Sequence, residues 1–454
     1  MPPRVVHYSD LENVFDHPER AGRLAGLVDS LRTPEALVLG SGDNTAPGVT
    51  SMVHEGAQAL DFFATVGPDA DTFGNHDFDY GAGTLLETVE RSPQVWVSAN
   101  VRRGDEPFGR DAGVVPSTVL ERGGHAVGLV GVTDPATGAM SPGASDLTFT
   151  DPVDAVRREA ATLRDRDVDA VVVLSHLGAG DQDLARRTDV DAILGGHVHD
   201  ERVAEVDGTL LARTGANGHR VLTADLGTKD VTVHDVAEGA VDEAVRDALV
   251  RRREAAGLDE VVATVADPVR RGSDLTGAGE CRIGNFVADA YRWAADADVG
   301  LHNTGGLREG PPLEGAVTVA DLASVVPFDE PVAVAEVTGA QLRAILRQGD
   351  GRTLQSSTDR WLAHVSGVRV RRRDEETEVA LEKGEIDEAA TYRLATSEFL
   401  LHTDREFPAL DESDRVATLA TQYEVLADYA REHGIDPAVE GRIRGVAPAP
   451  DSKG

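Results

Sequence analysis

The chain has 454 residues, 79 acidic against 44 basic, for a formal net charge of −35, with 41% hydrophobic residues, 4% aromatic residues and one cysteine. That length points to two or more domains, and the charge disfavours nucleic acid and anionic membranes as partners. Cys281 alone excludes intramolecular disulfides and thiolate clusters. The chain begins without a charged n-region and apolar h-region, and no apolar run reaches membrane-spanning length, so a cytoplasmic protein is expected. Only three of the cations are lysines (Lys229, Lys383, Lys453) and the acids are spread along the chain, which suits a halophilic, high-salt cytoplasm. In chain order, β-branched runs at 4–8, 36–39, 95–98, 125–130, 170–174 and 192–194 read as strands. Amphipathic patterns at 20–31 and 152–166 read as helices between them, the second opened by Asp151 as N-cap and Pro152 at the first helical position. This alternation predicts an α/β layered domain over 1–236. A charged helical pattern at 237–257, stopped by Gly257, reads as a linker helix. A second, smaller α/β domain is expected over 258–446, followed by a disordered Pro-rich tail at 447–454.

Five places in the first half put Asp, Asn or His at a strand exit: Ser9-Asp10-Leu11-Glu12, Gly42-Asp43-Asn44, Gly74-Asn75-His76-Asp77-Phe78-Asp79, Ser175-His176 and Gly195-Gly196-His197-Val198-His199. Singly, each reads as a cap or a surface residue. Together, with glycines that let backbone crowd an ion, they are what a two-metal phosphoester-cleaving site needs.

On these motifs the chain resembles the calcineurin-like metallophosphoesterases, and within them the 5'-nucleotidase and UDP-sugar hydrolase group. The resemblance implies a four-layered αββα catalytic domain holding two divalent metal ions. It implies that Asp43 bridges both, that Asp10 and His199 bind the first, and that Asn75, His176 and His197 bind the second. His76 is the implied catalytic histidine, supported by Asp79. Where the family pattern is Asp-x-His, this chain has Asp10-Leu11-Glu12. A carboxylate is harder than imidazole, so Glu12 as a ligand favours Mn, Mg or Fe, with Zn possible.

In the second half, His302-Asn303-Thr304-Gly305-Gly306-Leu307-Arg308 resembles the family's Asn-x-Gly-Gly-x-Arg loop, which implies that Asn303, Gly305, Gly306 and Arg308 bind substrate. Glycine backbone approaches an anion closely, and a guanidinium fork matches phosphate oxygens. Phe328, in Pro327-Phe328-Asp329-Glu330, and Phe399, after Tyr392-Arg393-Leu394-Ala395-Thr396, stand where the family clamps a nucleobase between rings. The family's Gly-Gly-Asp-Gly-Tyr loop is replaced by Thr403-Asp404-Arg405-Glu406-Phe407, with Asp404 one position from the expected ribose-binding acid. The resemblance therefore implies hydrolysis of a small phosphomonoester, a nucleoside 5'-monophosphate first, by water activated between two metals. UDP-sugar hydrolysis and 2',3'-cyclic phosphodiester cleavage are the enzymatic rivals, and a non-catalytic nucleotide sensor is the rival of another class.

Overall fold

The computed structural model describes residues 3–353, 358, 360–373, 376–403 and 405–446. The tail expected at 447–454 and Asp404 lie outside the described residues. The chain divides into two compact units, Met1–Ala256 and Gly257–Gly454.

The first unit is built on two six-stranded sheets. In one, Arg4–Tyr8, Ala36–Gly40, Ala70–Asp71 and Val95–Trp96 run parallel in that order. In the other, His125–Thr133, Ala170–His176, Ala192–Gly195 and Thr209–Thr214 do the same. Side chains alternate across a strand, and here both faces of the central strands are apolar, so neighbouring residues enter different cores. Val5, Leu37, Leu39, Leu129, Val172 and Leu174 fill the core between the sheets. Val6, Val38 and Tyr8 turn the other way, onto the helices Pro18–Leu31 and Ala59–Val66. Val130, Val171 and Val173 meet the helix Pro152–Arg164. The result is the expected αββα stack of four layers, in which buried valines and leucines supply most of the stabilisation at roughly 25 cal/mol per Å² of apolar area.

The Asp151 carboxylate accepts the backbone N–H groups of Val153 and Asp154, capping its helix. The helix expected over 237–257 forms over Glu243–Ala255 and packs into the first unit. Val245 and Leu249 are fully buried, and the chain entering this helix lies so close to the Pro18–Leu31 helix that a Cβ on Gly26 would stand 2.1 Å from the Ala240 carbonyl oxygen. Its few apolar residues thus sit on one stripe against a glycine-lined neighbour.

The second unit centres on a five-stranded mixed sheet in the order Ala363–Ser366, Val299–Asn303, Thr391–Ser397, Pro331–Thr338, Arg415–Thr421. The helix Arg282–Ala294 covers it with Ile283, Phe286, Val287, Ala290 and Tyr291 buried. A long ribbon, Val261–Arg271 with Gly310–Thr318, and a three-stranded sheet complete the unit. Among the described residues no helix is long and apolar enough to cross a membrane.

Candidate functional site

The strands of the first unit that carry the expected ligands are parallel within their sheets, and the residues follow their carboxyl ends, where open α/β sheets place ligands. Four of these residues hold left-handed backbone: Asp10 (φ 50°), Glu12 (φ 45°), Asp43 (φ 52°) and His197 (φ 74°). A side chain held there costs of order 1 to 3 kcal/mol and persists where its surroundings over-determine it. The glycines make room for this crowding. A Cβ on Gly74 would lie 2.1 Å from Asp43 Oδ1, and one on Gly196 would lie 2.7 Å from Asp10 Oδ2.

Two groups of donor atoms result, Asp43 with His176 and His197, and Asp10 with Glu12 and His199, each within 4.8 Å of one another. His176 Nε2 is 3.0 Å from Asp43 Oδ2 and 3.9 Å from Asp10 Oδ1, which joins the two groups. Asn75 Oδ1 lies 2.8 Å from His197 Nδ1, so Asn75 belongs to the same cluster. Glu12 Oε1 is buried with no aligned hydrogen-bond donor, yet His199 Nε2 stands 2.8 Å away. A lone pair left over in this way, amid carboxylate, amide and imidazole donors, fits a divalent cation of hard to borderline character.

Second contacts fix the donors. His176 Nδ1 lies 2.8 Å from the Ser41 carbonyl oxygen and donates to it, which turns Nε2 toward the cluster. Ser9 Oγ donates to Asp10 Oδ2 at 2.6 Å. Asp77, to which the sequence reading gave no role, accepts backbone N–H groups from Asp43 (2.9 Å), Asn44 (3.1 Å), Thr45 (3.0 Å) and Gly74 (2.7 Å), tying two ligand loops together. Asp71 likewise accepts the Gly42 backbone N–H and the Asn44 side-chain amide Nδ2–H. The adjacency of Asp77 to His76 was the available signal.

Burial by itself would lower the His176 pKa, but the Asp43 charge and hydrogen bond and the Asp10 charge raise it to about 10. Asp10 is pushed up to about 7, by burial first and then by Asp43, while His176 pulls it down. The cluster thus demands positive charge, which protons or cations can supply. His76 Nδ1 is 2.8 Å from Asp79 Oδ2 and both side chains stay partly exposed. Burial opposes protonation of His76, yet the Asp79 hydrogen bond and the charges of Asp43, Asp79 and Glu12 raise its pKa to about 9.

In the second unit all six expected substrate residues, Asn303, Gly305, Gly306, Arg308, Phe328 and Phe399, line one cavity of about 230 Å³. The Arg308 guanidinium lies 4.8 Å from the Phe328 ring centroid, a cation–π contact, and donates to the Gly305 carbonyl at 2.8 Å. Phe399 is 41% exposed, unusual for a large apolar ring. Glu330, Glu406 and Gln422 also line the cavity. Asn303 Nδ2 donates to Glu406 Oε2 at 2.9 Å, so Glu406 brings a carboxylate to the cavity. Arg282, at the start of the helix that covers the sheet, is committed to Asp267 at 2.7 Å and to the Pro437 carbonyl at 2.8 Å.

An αββα stack with candidate metal donors at its strand ends is the arrangement a metallophosphoesterase needs, and comparison with known proteins agrees. Residues 3–201 match the calcineurin-like phosphoesterase family and residues 261–412 match the 5'-nucleotidase C-terminal domain. The chain belongs to the calcineurin-like phosphoesterases that carry a 5'-nucleotidase C-terminal domain, a family of phosphoester hydrolases. It is 25% identical to the trifunctional nucleotide phosphoesterase protein YfkN of Bacillus subtilis over 97% of this chain, and spans about a third of that relative, 35% of its length. It is 26% identical to a 5'-nucleotidase of Diplobatis ommata, covering 91% of this chain and 82% of that one. The crystal structure of a 5'-nucleotidase precursor from Thermus thermophilus superposes with a TM-score of 0.72 at 25% identity, over 98% of this chain and 99% of that one.

Proposed function

We propose that the chain hydrolyses phosphomonoesters with the help of two divalent cations, and that its substrates are nucleoside 5'-monophosphates. The observation that carries this reading is the pair of donor groups joined through His176, with the His76–Asp79 pair bonded onto the same cluster: the His76 backbone N–H donates to Asp43 Oδ1 at 2.7 Å. Asp10, Glu12 and His199 would hold one cation, and Asp43, Asn75, His176 and His197 the other. Such a pair supplies Lewis acidity at phosphorus and a water of lowered pKa.

The chain's own residues do the rest. Asp79 accepts the Nδ1 proton of His76 and so fixes the ring with Nε2–H free to donate. As the new P–O bond forms and the ester P–O bond breaks, that proton passes to the leaving oxygen. Arg308 would hold the phosphate end of a nucleotide, and Phe328 and Phe399 would flank its base. Glu406, on Asn303, is placed to accept a ribose hydroxyl. Relatives named for nucleotide hydrolysis support the substrate class.

The test is product analysis after incubation with AMP, UDP-glucose and 2',3'-cyclic AMP in parallel, with Mn²⁺ in molar KCl: adenosine and phosphate from the first, UMP and glucose 1-phosphate from the second, adenosine 2'- or 3'-monophosphate from the third. His76→Ala should lower turnover of AMP by at least about 100-fold with metal content unchanged. Cleavage of UDP-glucose or the cyclic nucleotide alone would transfer the assignment to that substrate. Cleavage of none of the three by folded, metal-loaded protein would overturn it.

A further inference from the structure

The small sheet of the second unit pairs Val368–Arg372 antiparallel with Thr377–Leu381 and parallel with Ile443–Arg444. Alternation buries Val368 and Val370 and leaves Arg369 and Arg371 on the outer face. The register sets Arg371 directly beside Arg444, which is also exposed. Like charges as cross-strand neighbours destabilise a sheet; Arg371 has Glu378 as its other cross-strand neighbour, one carboxylate beside two guanidinium groups, so the row still carries an excess of positive charge. The helix Gly339–Gln348 adds Arg343 and Arg347, four residues apart and therefore on one helix face. All five arginines line one groove of about 420 Å³, within the size range of small-molecule sites.

The charge balance there is the reverse of the chain's. Five arginines and three glutamates line the groove, whereas the whole sequence carries 44 basic and 79 acidic residues. Of the glutamates, Glu376 is held by Arg347 at 2.9 Å and Glu378 by Arg373 at 2.5 and 3.0 Å. Arg343 is steadied by the Val379 and Ile386 carbonyls at 3.3 and 3.2 Å and pairs with Glu388 at 3.6 Å. Elsewhere Arg220, Arg415 and Arg431 each make two ion pairs. Among the described residues Arg369 and Arg444 make none, and neither lines the cavity of Arg308.

We propose that this groove is a second anion site, taking a ligand with two or more linked phosphates: inorganic pyrophosphate or the polyphosphate tail of a nucleotide. Adjacent strands lie about 4.8 Å apart and alternate residues about 6.6 Å apart, so the guanidinium groups fan over an area wider than one phosphate. Planar forks engage phosphate oxygens in pairs, and several in a row reward linked phosphates over a single one.

The full chain with its divalent cations is titrated calorimetrically with imidodiphosphate, with α,β-methylene-ADP and with inorganic phosphate, at fixed free cation concentration. The same titrations are run on the double variant Arg369→Ser, Arg444→Ser and on Arg369→Ser alone. The expected result is affinity for imidodiphosphate that falls at least about tenfold in the double variant and less in the single one. The unfolding midpoint should hold or rise, because a repulsive row has been thinned. Loss confined to imidodiphosphate identifies an inorganic ligand; equal loss with the ADP analogue identifies a nucleotide tail. Wild-type and variant isotherms that coincide for both probes, or no binding by the wild type, would overturn the proposal. Inorganic phosphate binding as tightly as imidodiphosphate would overturn the requirement for linked phosphates.

Discussion

His176 in the first unit and His302 in the second are equally hidden from water, at 0% and 1% exposed, yet their acid–base behaviour is opposite. His176, against Asp43 and Asp10, is raised to about 10, whereas His302 is lowered to about 3. Burial pushes both down; only the neighbours differ. His302 pairs across the strands with His364, itself buried and lowered to about 4, and its ring packs edge-on to Tyr291. Burial of a histidine therefore says little about its role, and the carboxylates around it say much. One unit gathers carboxylates around its buried imidazole. The other keeps His302 and His364 neutral, near a cavity that offers rings, amides and one guanidinium.

Removing the charge that separates the two histidines should have the largest effect. Asp43→Asn keeps the shape but takes away the carboxylate facing His176 Nε2 and the His76 backbone N–H. The expected outcome is loss of at least one bound cation by elemental analysis and a fall in turnover of more than about 1000-fold, or about 4 kcal/mol. Full metal content and activity would remove Asp43 from the centre.

The contrasting histidine gives the next effect, on stability. The folded pKa of His302 is depressed to about 3, below the ordinary 6.5, so between those values the unfolded chain binds the extra proton. Its contribution is fully present above about pH 6.5 and is lost as pH falls toward 3, at up to about 1.4 kcal/mol per pH unit. Denaturant midpoints followed from pH 7.5 to 4 should fall more steeply for wild type than for His302→Gln. Parallel curves would show that His302 is not buried as neutral imidazole.

The candidate donor cluster was legible because its residues stand at strand ends in short motifs that resemble those of a known family. Asp77 stood in plain view in such a motif, but its work is to collect N–H groups from residues 43 to 45, more than 30 positions away, and only the fold brings those to it. The 243–255 helix read as a linker because its surface is charged. Val245 and Leu249 reveal its packing only once the glycine-lined helix beside it is known. Ala70–Asp71, two residues long, is too short for any periodicity, though Asn75 depends on it for position. In the second unit the aromatic and glycine positions were legible. Glu406 was not, because its partner Asn303 lies 103 residues earlier and the loop between Thr403 and Phe407 departs from the family's pattern.

That cavity supplies the smallest expected effects and the finest test of the contrast between units. If its contribution is to hold a base and a sugar, Phe399→Ala should raise KM for AMP by an amount worth about 1 to 3 kcal/mol, the value of stacking one base on a ring. Turnover of p-nitrophenyl phosphate, which has no nucleobase, should stay nearly constant. Glu406→Gln keeps an acceptor for a sugar hydroxyl but removes the charge, so its cost for AMP should be about 1 kcal/mol, and it should vanish for a substrate without ribose. Both variants leave the donor groups of the first unit intact, so metal content should not move. A Phe399→Ala enzyme that loses AMP and p-nitrophenyl phosphate turnover in equal proportion would show that the ring supports the fold or the chemistry and not the base. The division of labour between a charged unit and a base-holding unit would then be wrong.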